Sequence, residues 1–296
     1  MTPGLRGIFP MLVTPFDAQG QIAWNDLATI TDRQIQAGVG GLSILGLAAE
    51  AGALSYDERI AICRYVLARA ATTPVIAGCT ATSTPETVSL ASEAARAGAA
   101  AVMVAPPGPV DWSRDQLKRH YGAVAGAISP TPLMVQDAPA FIGTSLDTAF
   151  VQELAQEHTN VQYAKPESIP ASDAIAGLAP LPNMGTFGGH GGLYFLEALE
   201  AGADGLIPGC EQPRNFQQIY VSWEGGDREA ARRQFEQILP LLVWQFQSLD
   251  LYIASVKALL HAQGLLQHPT LRGKSWPLSS ASQQILLRHA RRSGLI

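Results

Sequence analysis

Lys165 is the side chain best placed for chemistry in this sequence. The chain has four lysines against sixteen arginines. Lys118 falls in a polar helical stretch, Lys257 in the helical run Ser255-Val-Lys-Ala-Leu-Leu260, and Lys274 in a loop after Arg272-Gly273. Only Lys165 closes an apolar, strand-like run, Val161-Gln-Tyr-Ala-Lys165, and Pro166 follows it. Burial among apolar neighbours disfavours an ammonium ion and lowers its pKa. The neutral amine so produced is the nucleophile that Schiff-base chemistry requires. The alternative is a lysine that reaches out to solvent from the strand end. A second candidate is the run Gly185-Thr-Phe-Gly-Gly-His-Gly-Gly192, which precedes a helical pattern. Its backbone N–H groups could hold a carboxylate or hydroxyls, or it is simply a tight turn. Glu50 reads as a buried charge partner or a rim residue, with support of the loop ahead of catalysis. Cys63, Cys79 and Cys210 form no Cys-x-x-Cys pair and read as small buried hydrophobes. The six histidines show no metal-ligand spacing, so no protein-built metal site is expected.

These residues need a scaffold, and the chain repeats one. Ile35 to Leu45, Ala95 to Ala105 and Leu199 to Ile207 each read as a helix end, a glycine and a short apolar strand. Gly38, Gly98 and Gly202 stand where a helix C-terminus takes a left-handed residue. Strands apolar throughout are buried on both faces, as in parallel sheets. Strands are expected at 8–13, 42–45, 75–77, 101–104, 133–136, 161–164, 184–187 and 205–207. Helices are expected at 25–37, 56–70, 85–97, 113–128, 146–158, 171–178 and 193–201. Eight strand-helix units over about 225 residues fit a (β/α)8 TIM barrel, an α/β fold. A doubly wound sheet would want a Gly-x-Gly-x-x-Gly after the first strand, where Val13-Thr-Pro-Phe-Asp17 stands instead. Further helices at 215–223, 227–249, 252–263 and 280–292 predict a C-terminal helical extension. The expected division is 1–225 for the barrel and 226–296 for the extension, packed as one structural domain. The run Ala105-Pro-Pro-Gly-Pro109 reads as a loop within the barrel.

Composition narrows the function classes. A chain of 296 residues, 47% hydrophobic and 15% charged, is neither disordered nor in need of disulfide staples. A net charge of −5 advertises no basic face, so no nucleic-acid partner is expected. Apolar runs are too short for a membrane span. Met1 to Gly7 lacks a signal-peptide layout, and a cytoplasmic location is expected.

Several segments resemble the dihydrodipicolinate synthase / N-acetylneuraminate lyase family. They are Gly7 to Asp17, Gly41-Leu-Ser-Ile-Leu-Gly46 with Glu50, Pro74-Val-Ile-Ala-Gly78, Ala201-Gly-Ala-Asp-Gly205 and Val256-Lys-Ala-Leu259. The resemblance runs in register from about residue 5 to residue 280. It implies a barrel with C-terminal helices, a homotetramer arranged as a dimer of dimers, and a 2-oxo acid as the small-molecule partner. It implies a Schiff base between the substrate ketone and Lys165, with no cofactor. There are departures. Gly46-Leu47-Ala48-Ala49-Glu50 stands where the family carries a hydroxyl-bearing loop, so backbone N–H groups must serve if the substrate carboxylate binds there. Gln136 replaces the family's tyrosine relay, Phe141 or its neighbour the synthase arginine, and Pro106-Pro107-Gly108 the Pro-Tyr-Tyr stretch. These changes argue against dihydrodipicolinate synthesis and sialic acid cleavage. Val135-Gln-Asp-Ala-Pro139 and Tyr163-Ala-Lys-Pro-Glu-Ser168 are similar to 2-keto-3-deoxy-L-arabonate dehydratases. Gly191-Gly-Leu-Tyr-Phe-Leu196 resembles uncharacterised members of the superfamily instead.

The reading favoured by these residues is dehydration of a 2-keto-3-deoxy sugar acid through a Lys165 iminium and its enamine. Aldol cleavage or condensation of a pyruvate-like donor is the runner-up, and a non-catalytic 2-oxo-acid-binding member is the third reading. Gln136 can position but cannot act as a base. Tyr163 lies two residues before Lys165 and so on the same strand face, as a proton-transfer candidate or a packed barrel aromatic. Glu167, an ordered water and the substrate's own carboxylate are the other proton-transfer candidates. Leu47, Ala48, Ala49, Glu167, Gly189, His190 and Ile207 are the expected substrate-binding residues. Asp137 is expected to fix its loop.

Overall fold

The computed structural model describes residues 4–108, 112–273 and 278–296. Pro109 and Lys274 lie outside the described residues. Eight parallel strands form the sheet: β1 (Gly7–Ile8), β2 (Leu42–Ile44), β3 (Val75–Gly78), β4 (Ala101–Val104), β5 (Leu133–Asp137), β6 (Val161–Pro166), β7 (Gly185–Gly188) and β8 (Gly205–Leu206). From β2 to β8 each strand pairs with its neighbours in sequence order, and β1 pairs with β8. Met11 closes the ring by bridging Ser43 on one side and Gly209 on the other. The expected first strand, 8–13, is regular only to Ile8, because Pro10 has no N–H to give to a ladder. Its carbonyl still accepts from Ser43 N–H at 2.9 Å.

The barrel helices are α1 (Trp24–Gln36), α2 (Tyr56–Ala70), α3 (Thr84–Arg96), α4 (Arg114–Ile128), a single turn α5 (Pro139–Ile142), α6 (Thr148–Glu157), α7 (Ala171–Leu178), α8 (Phe195–Glu200) and α9 (Pro213–Glu224). Ser55 and Ser113 open α2 and α4 with complete capping boxes. Gly38, Gly98 and Gly202 follow α1, α3 and α8 with φ of +71°, +94° and +98°. Ala99 N–H and Ala203 N–H reach back to Ala94 and Ala198 carbonyls, the 6→1 bond of a Schellman end. The repeated helix-Gly-strand pattern is thus a repeated way of turning the chain back into the sheet.

The strands bury both faces. Outward side chains such as Leu42, Val75, Val102, Val135 and Ala164 pack under the helices. Inward ones, including Phe9, Met11, Ile76, Met103, Met134, Tyr163, Phe187 and Ile207, fill the barrel. After α9 come α10 (Arg228–Gln245), α11 (Leu249–Ala262) and α12 (Ser280–Arg292). The single helix expected over 227–249 ends early, at Gln245, because Ser248 starts a new one by accepting from Leu251 N–H at 3.1 Å. That break turns Phe246, Leu249 and Tyr252 toward the barrel mouth. Among the described residues no helix is long and apolar enough to cross a membrane.

Candidate active site

Lys165 closes β6 and points inward beside Gln136 of β5, its partner in register. Glu167 N–H donates to Asp137 O at 2.6 Å, which extends the β5–β6 pairing past the strand end. Period-two alternation therefore puts Lys165 and Glu167 on one face. Glu167 is buried and its carboxylate is fully committed. Oε2 accepts from Lys165 Nζ at 2.7 Å and from Gln136 Nε2 at 2.7 Å, and Oε1 accepts from His190 N–H at 2.8 Å. Burial pushes this carboxyl up, but the Lys165 ammonium, His190 and the hydrogen bonds outweigh burial and hold it below the usual range.

The glycine run after β7 makes this contact possible. A Cβ at Gly189 would collide with the Glu167 carboxylate. His190 takes a left-handed φ of 52°, uncommon for a residue with a side chain, and so aims its N–H at Glu167. Its ring packs against Phe141, Tyr194 and Phe246, and burial lowers its pKa against the pull of Glu167. Asp137 holds its loop, accepting from Leu146 N–H at 2.8 Å.

A small pocket of about 40 Å³ opens above Lys165. Gln136, Glu167, Leu47, Ala48, Phe141 and Ile207 line it, with Met11, Gly191 and Pro208. Phe246, Leu249 and Tyr252 of the C-terminal region complete its wall. Through Leu47, Gln136 and Leu249 it continues into a wider cleft of about 630 Å³. Arg59, Thr80, Thr82 and Asp250 are on the wall of that cleft. The 47–49 segment is one turn of 3-10 helix. Glu50 follows in the left-handed region and is tied down from all sides. Its carboxylate meets Lys257 Nζ and accepts from Arg272 and Gly273 N–H at 2.8 and 3.0 Å. Lys257 also donates to Thr270 O at 2.8 Å and stands 4.2 Å above the Phe16 ring. Glu50 is therefore a buried charge partner that fixes the loop beneath the pocket.

Most of the residues singled out from the sequence converge here. Lys165, Gln136, Glu167, Leu47, Ala48 and Ile207 share the pocket, and Gly189 and His190 stand directly behind Glu167. Two do not join them. Tyr163 faces inward, but its hydroxyl accepts from Leu5 N–H at 2.9 Å, ahead of β1 and so at the opposite end of the barrel. It is a packed barrel aromatic beside Phe187 and is spatially removed from the lysine ammonium. Ala49 is buried, its N–H spent on Gly46 O and its carbonyl on Thr14 Oγ1. No sequence pattern marks Phe246 and Tyr252 as site residues, although Ser248 caps the break that delivers them. The three cysteines are buried and unpaired, as expected. Among the described residues no cluster of three or more His, Cys, Asp or Glu is placed to hold a metal ion.

The model of the dihydrodipicolinate synthetase family matches residues 4–291. The chain belongs to that family. Members of the dihydrodipicolinate synthetase family are lyases, among them dehydratases, aldolases and synthases. The L-2-keto-3-deoxyarabonate dehydratase of Azospirillum brasilense is 32% identical over 298 residues, 98% of this chain and 95% of that protein. The crystal structure of dihydrodipicolinate synthase from Rhodopseudomonas palustris superposes with a TM-score of 0.92 at 26% identity, covering 99% of both chains. YagE of Escherichia coli K12, solved in complex with pyruvate, superposes with a TM-score of 0.91 at 26% identity, covering 98% of this chain and 99% of its own.

Proposed function

We propose that this family member is a Schiff-base lyase that removes water from a 2-keto-3-deoxy sugar acid. The observation that carries the proposal is the buried Lys165–Glu167–Gln136 cluster at the floor of the pocket. Likeness to a 2-keto-3-deoxyarabonate dehydratase along nearly the whole chain supports the choice of substrate class. So does the wider cleft with its hydroxyl and charged side chains, which suits the rest of a sugar acid.

The ion pair sets the order of events. A proton passes from Lys165 Nζ to Glu167 Oε2 and leaves a neutral amine. The amine attacks the C2 ketone, and Glu167 returns the proton as the carbinolamine loses water to give the iminium. The restored Glu167 carboxylate then takes a C3 proton, the iminium accepting the electron pair as an enamine. The enamine pushes out the C4 oxygen, which leaves as water once it gains a proton. In this reading the iminium is the electron sink, and no organic cofactor takes part. Gln136 Nε2 fixes Glu167, and the Leu47 and Ala48 N–H groups are the donors for the substrate carboxylate.

Borohydride trapping with pyruvate and with a 2-keto-3-deoxypentonate, read by peptide mass, tests the proposal. The expected result is an adduct on Lys165 that is absent in Lys165→Ala, and a dehydrated 2-oxo product without pyruvate. Pyruvate plus an aldehyde as products would replace dehydration by aldol cleavage. No adduct with either ketone would refute Schiff-base chemistry here.

A further inference from the structure

The dehydration scheme leaves the C3 proton on Glu167 and names no donor for the departing C4 oxygen. The structure contains an acid that the scheme has not used. Ile207 and Pro208, just past β8, line the Lys165 pocket, and Glu211 follows them. Glu211 is fully buried, and among the described residues neither carboxylate oxygen has a partner in good hydrogen-bond geometry, although its own N–H, Gln212 and Gln245 lie alongside. The Tyr252 hydroxyl of α11, Gln245 Oε1 of α10 and Gln212 Nε2 are likewise buried and lack such a partner. A Cβ at Gly209 would collide with both Glu211 Oε2 and the Tyr252 hydroxyl. These two oxygens therefore face one another across the space that the bare glycine leaves. Tyr252 also lines the pocket, its ring held against Gly191, where a Cβ would come within 2.8 Å. One side chain thus touches both the pocket and the buried acid.

Burying an ionised carboxylate without a partner is costly, so such a group is kept as a neutral acid or for a task. The nearest cation does not neutralise it. Arg33 of α1 donates to Gln263 Oε1 at 2.7 Å and to the backbone carbonyl of Glu211 at 3.3 Å, not to its carboxylate. We propose that Tyr252 gives its proton to the departing C4 oxygen and that Glu211 is the buried acid that recharges it. The inference rests on the dehydratase reading. As the C4–O bond breaks, the phenol proton goes to the oxygen, which leaves as water. The phenolate takes the Glu211 proton, and the cycle closes when Glu167 releases the C3 proton and Glu211 regains one before the next turnover. Tyr252 is the catalytic residue and Glu211 positions and recharges it. The titratable groups around Glu211 are Arg33 of α1, Cys210 beside it and Tyr252, and the carboxamides of Gln212 and Gln245 lie alongside. Burial pushes Glu211 up to about 7, against its own N–H, Arg33, Gln245 and Gln212, and holds the Tyr252 phenol well above its usual range. Both groups are thus able to donate near neutral pH.

The test compares the full-length wild type with Tyr252→Phe and Glu211→Gln. Borohydride trapping of pyruvate on Lys165 reports an intact site, and turnover of a 2-keto-3-deoxypentonate reports elimination. The expected result is trapping by both variants with kcat for elimination reduced about a hundredfold or more. In the wild type kcat falls as pH rises through about 7, because Glu211 loses its proton. Glu211→Gln is expected to erase that limb, which a merely structural defect would leave in place. Elimination within twofold of wild type in either variant, or a Glu211→Gln profile that keeps the limb, would overturn the assignment. A wild type that traps pyruvate yet eliminates no water from any such acid would overturn it too. A wild type that traps nothing would refute the Schiff-base reading itself.

Discussion

Two buried groups titrate in opposite directions, and this has a measurable consequence for stability. His120 of α4 is buried beside Trp112 and Tyr121, with Nδ1 2.8 Å from Thr84 Oγ1 and Nε2 without a partner among the described residues. Burial lowers its pKa from 6.5 to about 4, so unfolding takes up a proton between those values. Its contribution is present above the unfolded value and lost as pH falls through about 4. Glu211 behaves the other way. Its pKa rises from 4.5 to about 7 on folding, so the folded state binds a proton that the unfolded chain does not. Its contribution is absent above about 7 and grows as pH falls toward 4.5. Integrating each difference from pH 7 to pH 5 gives about 2 kcal/mol lost at His120 and about 2 kcal/mol gained at Glu211. The two nearly cancel in the wild type. Urea unfolding followed by tryptophan fluorescence at those two pH values would separate them. Relative to wild type, Glu211→Gln is expected to lose about 2 kcal/mol on acidification and His120→Gln to gain about as much. The double variant should return to the wild-type slope. His190 and His289 also sit below their usual range, but they are common to all four proteins and drop out of the comparison. Equal pH slopes in all four would refute the assignment of these two groups.

Lys257→Met leaves the Glu50 carboxylate buried with two backbone donors among the described residues, and is expected to cost about 3–5 kcal/mol of unfolding free energy. The double variant with Glu50→Gln should recover part of this. A single-variant loss within experimental error in urea melts would contradict the buried pair. The thiols are expected to resist labelling in the folded protein at pH 8 and to react after denaturation. Burial pushes Cys63 up to about 11 and Cys210 up to about 12, with Cys79 higher still. Rapid native labelling of any of the three would overturn that burial.

The barrel was legible because its signals are local. Gly38, Gly98 and Gly202 each end a helix in a conformation that glycine favours, and the apolar runs after them fit only a sheet covered on both sides. Lys165 and Glu167 were legible for a similar reason, since two residues apart on a strand means the same face. Alternation assigns a face but not a depth. Tyr163 shares the inward face with Lys165, yet its hydroxyl meets Leu5 at the far end of the barrel. The pocket wall supplied by Phe246 and Tyr252 depends on how α10 and α11 fold back over the mouth. That is a tertiary fact, of which the sequence carries only the Ser248 cap.

Desolvation among apolar neighbours was the expected route to a reactive Lys165, and the structure supplies a different one. The lysine is buried, but its partner is a carboxylate 2.7 Å away that is itself held by Gln136 and by His190 N–H. Burial penalises both charges at once, while the three donors on Glu167 hold its carboxylate ionised. Activating the lysine therefore requires one short proton transfer within the pair. The acceptor is already placed to return the proton to the carbinolamine and then to reach C3. On this view the left-handed His190 and the bare Gly189 belong to the chemistry as much as the lysine does. They hold one oxygen of Glu167 so that the other stays on Lys165.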